Sequence, residues 1–347
     1  MSQDYRVAFI GCGRIAKLHI NGYKRNEGCK VVALVDVKPE VAEEFAETHE
    51  LEDARLYTDY REMLEVEKPD IVSVCVWTGM HPQVVRDCLK AGVPAVHCEK
   101  PMAPTWGEAK EMAAFCEASD SQVTISHQRR FLPVFRKAKE LLDEGAIGDL
   151  LRVEAYNPEN ILDWGTHVID LIFMFNDEVP ARWVMGQIDA RECGEWFDIP
   201  YEYAALGLIR FENGVRAIVH SGADKEMRFG VRLEGTDGMI EIRNEEPYLR
   251  MWGKDHTGWQ VVDARGGLHT QEDYIAITSV IADVIKGLET DHVSELVVSN
   301  AVQTSEVIFS IYESSRCRSR VDLPLKITDS PFLTMLENGD IGPEPSS

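Results

Sequence analysis

Three short stretches and one carboxylate carry residue types at spacings that can do chemistry. Gly11-Cys12-Gly13-Arg14-Ile15-Ala16 follows an apolar run and opens a helical pattern. The first glycine permits a tight turn, the second lets main chain approach a diphosphate, and the small third residue lets helix close on strand. A helix start offers N–H groups without helical partners, and a positive dipole end, to phosphate oxygens. Asp36 closes the next apolar run, 20 positions past Ala16. A carboxylate there binds both ribose hydroxyls of NAD and repels the extra phosphate of NADP. The cofactor expected is therefore NAD, with Lys38 close enough to soften the preference. Glu99-Lys100-Pro101 ends another apolar run. A lysine at a parallel strand's carboxyl end lies where such sheets bind ligands, and its ammonium can steady a developing alkoxide. Alone, this tripeptide is more often a surface loop. In Asp163-Trp164-Gly165-Thr166-His167-Val168-Ile169-Asp170, a helix starting at Asp163 puts that carboxylate and His167 four apart on one face. Such a pair suits a general base near neutral pH. Asp170 extends it toward a metal site, but no second histidine or cysteine stands at ligand spacing, and no metal is expected. The plain alternative is a capped helix with a satisfied histidine.

The elements that must position these groups divide in two. Apolar runs at 6–10, 30–35, 70–76, 94–98 and 122–126 are nearly continuous, as in parallel strands covered on both faces. Helical patterns at 39–49, 59–67, 82–90 and 106–117 lie between them, which predicts a doubly wound α/β domain. Beyond about residue 150 the period changes to alternation. Phe229, Val231 and Leu233 share one strand face, and Asn213-Gly214 and Asp237-Gly238 mark hairpins. Thr270-x-x-Asp273 reads as a capping box before a helical stripe of Tyr274, Ile277, Ile281, Val284 and Leu288, and a last helix is expected over 300–315. The fold class expected is an N-terminal Rossmann α/β domain over 1–127, then an α+β domain with an open, mostly antiparallel sheet over 128–329. A poorly structured tail over 330–347 is expected to follow, unless Phe332, Leu333 and Met335 dock on a partner subunit.

Composition narrows the partners. With 36 basic against 59 acidic residues the formal net charge is −23, the opposite of the footprint that nucleic acid or an anionic membrane requires. No apolar stretch spans a bilayer, no export signal is visible at 1–6, and eight scattered cysteines include no C-x-x-C pair. A soluble, cytoplasmic protein is expected, with 347 residues enough for two cores.

In this order and at these separations, Gly11-x-Gly13-x-x-Ala16, Glu99-Lys100-Pro101 and Asp163-x-Gly165-x-His167-x-x-Asp170 resemble the Gfo/Idh/MocA oxidoreductases. That family includes glucose–fructose oxidoreductase and inositol 2-dehydrogenase. The resemblance covers about residues 5 to 325, with supporting matches at Thr78-x-x-His81, Arg130-Phe131-x-Pro133 and Gly145-x-Ile147-Gly148. It implies Lys100 as catalytic lysine, and Asp163 and His167 as the substrate-binding and proton-transfer pair. It further implies cofactor contacts from Gly11, Gly13, Arg14, Ile15, Asp36, Thr78, His81, Glu99 and Lys100, and a homodimer or homotetramer through the second sheet. Residues 157–162 form a shorter segment than many relatives carry. Trp164 suits a sugar face or a core equally. In His127-Gln128-Arg129-Arg130, Gln128 is a candidate neighbour of the nicotinamide, and the arginines read as structural pairs or as anion binders. His19 reads as packing.

The function expected is hydride transfer between NAD and a secondary alcohol or ketone of a sugar, polyol or sugar derivative. Two alternatives stand beside it. One is a non-catalytic NAD-binding regulator, which has no physical need of Lys100, Asp163 and His167 together. The other is glycoside cleavage through transient oxidation by held NAD.

Overall fold

The computed structural model describes residues 4–196, 199–222, 229–264 and 270–342. They form two compact units: Met1–Pro104, Glu108–Phe131 and Asp273–Ala301 in the first, Thr105–Gly107, Leu132–Glu272 and Val302–Ser347 in the second.

The first unit is built on six parallel strands, β1 (Tyr5–Ile10), β2 (Cys29–Val35), β3 (Arg55–Tyr57), β4 (Ile71–Val74), β5 (Ala95–Cys98) and β6 (Gln122–Ile125), in the order β3-β2-β1-β4-β5-β6. The helices along this part of the chain are α1 (Ala16–Arg25), α2 (Pro39–Thr48), α3 (Tyr60–Glu67), α4 (His81–Lys90) and α5 (Trp106–Glu117). β4 and β5 are buried at every residue, the physical reason their sequences do not alternate. β3 escapes the apolar pattern because it is a three-residue edge strand with Arg55 and Leu56 exposed. Parallel strands bring the residues that follow β1, β2, β4 and β5 to one edge of the sheet, so Gly11, Asp36, Thr78 and Lys100 all lie there.

The second unit continues with α6 (Pro133–Asp143), β7 (Leu150–Asn157), α7 (Gly165–Phe175), β8 (Ala181–Trp196), β9 (Ile199–Phe211), β10 (Arg216–Gly222), β11 (Gly230–Gly235), β12 (Gly238–Ile242), β13 (Leu249–Gly253) and β14 (Gln260–Val261). Asn213-Gly214 turns β9 into antiparallel β10, with Gly214 at φ +92°, and Thr236-Asp237 joins β11 to β12, of which Gly238 is the first residue. The nine-stranded sheet is antiparallel except where β10 lies parallel to β7. α7 is buried along its whole length and lies over β7 and β10, while Met185, Tyr203 and Leu206 of β8 and β9 remain exposed.

α8 (Thr270–Glu289) carries the expected apolar stripe, but the stripe belongs to the first unit. Ile277, Ile281 and Val284 join the core formed by Phe9, Ile20, Tyr23 and Phe45. A Cβ on Gly22 of α1 would stand 2.9 Å from Ile281 Cγ1, so glycine there lets the two helices close. Asn26 Nδ2 also donates to the Thr278 carbonyl at 3.0 Å, and Ile125 N–H to that of Leu296 at 2.9 Å. The segment 273–301, read from the sequence as part of the second domain, thus packs with the first unit. The capping-box side chains of Thr270 and Asp273 lie outside the described residues.

The chain finishes with α9 (Val298–Cys317), β15 (Val321–Asp322) and α10 (Pro331–Glu337). α10 corrects the expectation of a poorly structured tail over residues 331–337, while 343–347 lie outside the described residues. Phe332 and Met335 are buried, Phe332 stacks on Tyr312 of α9 with ring centroids 5.5 Å apart, and Thr334 Oγ1 donates to Asp329 at 2.7 Å. The Pro and Ser that suggested disorder open a helix: Ser330 is the N-cap residue and Pro331 the first helical one. Among the described residues, no helix is long and apolar enough to cross a membrane.

Candidate active site

In the first unit the turn after β1 has the shape its glycines predict. Gly11 stands at φ +91°, and a Cβ there would lie 2.6 Å from the Cys75 carbonyl oxygen, so side chain and fold exclude each other. Gly13 differs: a Cβ on it would meet nothing within 4 Å. The space over Gly13 is thus open, and a ligand can approach the main chain there. α1 begins with no side-chain cap and no acidic residue in its first turn, which keeps its N-terminal field available to phosphate. Asp36 is fixed from two sides. Its Oδ2 accepts the N–H of Cys12 and its Oδ1 the N–H of Lys38, each at 3.0 Å. A carboxylate oxygen accepts more than one hydrogen bond, so both oxygens retain capacity for ribose hydroxyls. Arg14 and Ile15 lie between the glycine turn and α1. The turn, the helix start and the anchored carboxylate fit a dinucleotide.

Lys100 stands two residues past β5, joined to Pro101 by a cis peptide bond. Its N–H donates to Glu99 Oε2 at 3.2 Å. Glu99 is itself buried, and its Oε1 meets His19 Nε2 at 2.7 Å, while His19 Nδ1 meets Ser73 Oγ at 2.7 Å. Burial opposes charge on His19, but Cys75 and the Glu99 carboxylate outweigh it and hold the imidazole's pKa up at about 10. Burial likewise favours a neutral Glu99, and the hydrogen bond and charge of His19, with the Lys100 charge, outweigh it and draw the carboxyl down to about 2. The pair is therefore ionised inside the fold. His97, its ring 5.0 Å from that of His19, stays neutral, because burial and the His19 charge push it down to about 3. His19 is buried as its place on α1 suggested, but it is an ionic partner of the residue before Lys100 rather than packing. The visible signal was a histidine on the buried face of a helix; its partner lies 80 residues away.

The loop after β4 is tied to the same region. Thr78 opens the short 3₁₀ turn Thr78–Met80, and His81 starts α4. The His81 ring is buried, with Nδ1 2.9 Å from the Pro101 carbonyl and Nε2 2.9 Å from that of Val76. Burial holds its pKa below the ordinary range against those carbonyls. The neutral ring donates to one of these carbonyls and lies against the other, so His81 sits between the loop carrying Lys100 and the loop after β4.

In the second unit, α7 begins at Gly165 rather than at Asp163, with Trp164 as its N-cap residue. Asp163 lies in the preceding turn, its N–H donating to Asn160 Oδ1 at 2.7 Å. His167 is in the first turn of α7 and buried, its N–H bonded to the Trp164 carbonyl at 3.1 Å. The glycine of the motif is a packing requirement, since a Cβ on Gly165 would lie 2.8 Å from Ile161 Cγ1. Trp164 is exposed and Asp170 buried. Gln128, Arg129 and Arg130, in the 3₁₀ turn after β6 of the first unit, are all buried.

Residues 5–127 match the oxidoreductase family with an NAD-binding Rossmann fold, and residues 135–241 match the Gfo/Idh/MocA C-terminal domain. An inositol 2-dehydrogenase/D-chiro-inositol 3-dehydrogenase of Shouchella clausii is 31% identical over 92% of this chain and 95% of its own. The chain belongs to the Gfo/Idh/MocA family of oxidoreductases. More distant relatives include the D-apiose dehydrogenase of Paraburkholderia graminis, 27% identical over 69% of this chain and 67% of its own. Levoglucosan dehydrogenase, solved with NADH, shares the fold with a TM-score of 0.82 at 19% identity, over 93% of this chain and 100% of that one. The first unit is thus the family's NAD(P)-binding Rossmann domain.

Proposed function

We propose that this family member is an NAD-dependent dehydrogenase or reductase acting on a secondary alcohol, or the matching ketone, of a sugar, polyol or sugar derivative. The observation that carries it is the edge shared by Lys100, the open space over Gly13 and the anchored Asp36. An ammonium beside a dinucleotide site suits a reaction that leaves charge on a substrate oxygen. Inositol, apiose and glucoside dehydrogenases among the relatives favour a polyhydroxylated substrate. The carboxylate of Asp36 favours NAD over NADP. Gly11, Gly13, Arg14, Ile15, Asp36, Thr78, Glu99 and Lys100 hold the cofactor in this reading, and His81 serves through the loops it sits between. The exposed face of the nine-stranded sheet suits assembly into a dimer or tetramer, and eight free thiols suit the reducing cytoplasm.

When bound, the nicotinamide supplies a hydride acceptor, or a donor in the reverse direction. His167 takes the hydroxyl proton as the adjacent C–H bond gives up its hydride, and the C–O bond becomes a carbonyl. Lys100 steadies, by hydrogen bonding, the charge that develops on a substrate oxygen, and within the second unit Asp163 orients the imidazole of His167 or a neighbouring hydroxyl.

The test follows NADH formation with myo-inositol, aldoses, methyl glucosides, levoglucosan and sugar acids, with NAD and NADP in parallel. Lys100→Met and His167→Asn should each keep NADH affinity within about twofold yet lose roughly 10²-fold or more in kcat. Turnover within a few-fold of wild type in both variants refutes the assignment. Cleaved product without NADH supports the redox-assisted glycoside reading. NAD binding with no turnover in either direction supports the regulator.

A further inference from the structure

Glu202 of β9 is fully buried. One carboxylate oxygen accepts the N–H of Ile161 at 2.5 Å, and the other the hydroxyl of Tyr312, on α9, at 2.7 Å. Among the described residues it makes no ion pair. Burial pushes its pKa up to about 7 against those two hydrogen bonds. An ionisable group in such a place is costly, and an apolar side chain of similar size packs at less cost. What an apolar side chain lacks is an acceptor for the Ile161 N–H.

That N–H belongs to an irregular segment. Between the end of β7 and the start of α7 the chain has no strand partner; the N–H groups of Trp164 and Gly165 donate to the Asn160 carbonyl, and side chains supply further hydrogen bonds. Asn157 Nδ2 donates to Ser221 Oγ at 2.8 Å, and Ser221 Oγ donates to the Glu159 carbonyl at 2.7 Å. Asn157 Oδ1 accepts the Glu159 N–H at 2.9 Å, and Asn160 Oδ1 that of Asp163 at 2.7 Å. Ser221 fastens the front of the segment to β10, and Glu202 fastens its middle to β9 and α9. Ile161, thus held, is wholly buried and lies against Gly165, the first residue of α7. Two residues after Ile161 comes Asp163, and six after it His167.

We infer that Glu202 is a positioning residue for the reaction: by holding the Ile161 N–H against β9 and α9, it sets the pose of the turn that presents Asp163 and of the first turn of α7 that presents His167. The role rests on the proposed assignment of Asp163 and His167 to the substrate. A glutamine reproduces the clamp, its carbonyl oxygen accepting from Ile161 and its amide donating to the Tyr312 oxygen. An alanine removes it.

The full-length chain is compared as wild type, Glu202→Gln, Glu202→Ala and His167→Asn. Hydrogen–deuterium exchange over residues 158–167 needs no substrate, and Glu202→Ala should accelerate it at least about tenfold, with Glu202→Gln within about threefold of wild type. Turnover is measured with NAD and whichever polyol of the panel the wild type oxidises. Glu202→Ala should lower kcat roughly 10- to 100-fold at unchanged NADH affinity, and Glu202→Gln should restore it to within threefold. A residue that only holds the fold together would lower the melting temperature and leave kcat per folded molecule intact. The inference is overturned by wild-type exchange in Glu202→Ala, by fast exchange with unaltered kcat, or by equal impairment of Glu202→Gln. If Glu202→Ala fails to fold, Glu202→Asp withdraws the carboxyl by one methylene and carries the same expectation. Normal turnover in His167→Asn sinks the assignment of the site. A dead His167→Asn beside a fully active Glu202→Ala sinks the positioning role alone.

Discussion

Two glycines of one motif should fail in opposite ways when each is replaced by alanine. At Gly11 the backbone is at φ +91° and the new methyl would stand 2.6 Å from the Cys75 oxygen and 2.8 Å from its carbonyl carbon. A left-handed backbone costs a non-glycine residue about 1–2 kcal/mol. Forcing a methyl into packed main chain costs about 1–3 kcal/mol more. The sum, about 2–5 kcal/mol, corresponds to a melting temperature lower by roughly 5–15 °C at this chain length. At Gly13 the backbone is not left-handed and the methyl meets nothing within 4 Å. Stability should therefore hold, or rise by about 0.4–1 kcal/mol from the stiffer unfolded chain. The cost falls on the ligand, because the methyl occupies the space the diphosphate needs. A tenfold or greater rise in Kd, about 1.4 kcal/mol, is expected. Calorimetric melting of the ligand-free proteins and NADH titration by fluorescence measure the two effects separately. Wild-type NADH affinity in Gly13→Ala would show that the diphosphate does not lie over this glycine. An unshifted melt in Gly11→Ala would refute the close approach to Cys75.

Two further substitutions test the buried pair and the terminal helix. His19→Leu leaves Glu99 buried without its cation and should destabilise by about 3–5 kcal/mol in urea unfolding at pH 7. Its pH signature is specific. His19 has a pKa of about 10 in the fold against about 6.5 in an unfolded chain. Its contribution is thus fully present below pH 6.5 and is lost as pH rises through 10, because the native state then holds a proton the unfolded state has released. Wild-type stability should fall between pH 7 and 10 with a component that His19→Leu lacks, and parallel pH profiles would rule out the charged pair. Phe332→Ala should lower stability by about 3 kcal/mol by emptying the place against Tyr312, measured by thermal melting. No change would mean that α10 is not docked.

Local rules made the first unit legible. Its strands are continuous apolar runs because both faces are covered, and its glycine turn, Asp36 and Lys100 sit at strand ends, where a βα repeat must put them. Asn213-Gly214 and Asp237-Gly238 marked their hairpins because tight turns draw on few residue types, although the β11–β12 connection is Thr236-Asp237 and Gly238 already belongs to the strand. The Asp163–His167 spacing was equally visible, but the helix start was not. The last turn before α7 is set by Asn160, by Gly165 against Ile161 and by Glu202, and no helix propensity encodes those contacts.

By itself, the sequence determined everything that depends on neighbours within a turn or a strand: the two folding patterns, the family and the positions of its motifs. Tertiary structure alone decided which residues meet across long separations. It gave the stripe of α8 to the first unit, because Gly22 opens a place for Ile281. It turned His19 from a packed ring into the cation of Glu99, and docked the supposed tail through Phe332 on Tyr312. It also set Glu202 under Ile161, 41 residues away. Each of these is a contact between complementary surfaces, and a surface exists only once the chain has brought its separate parts together.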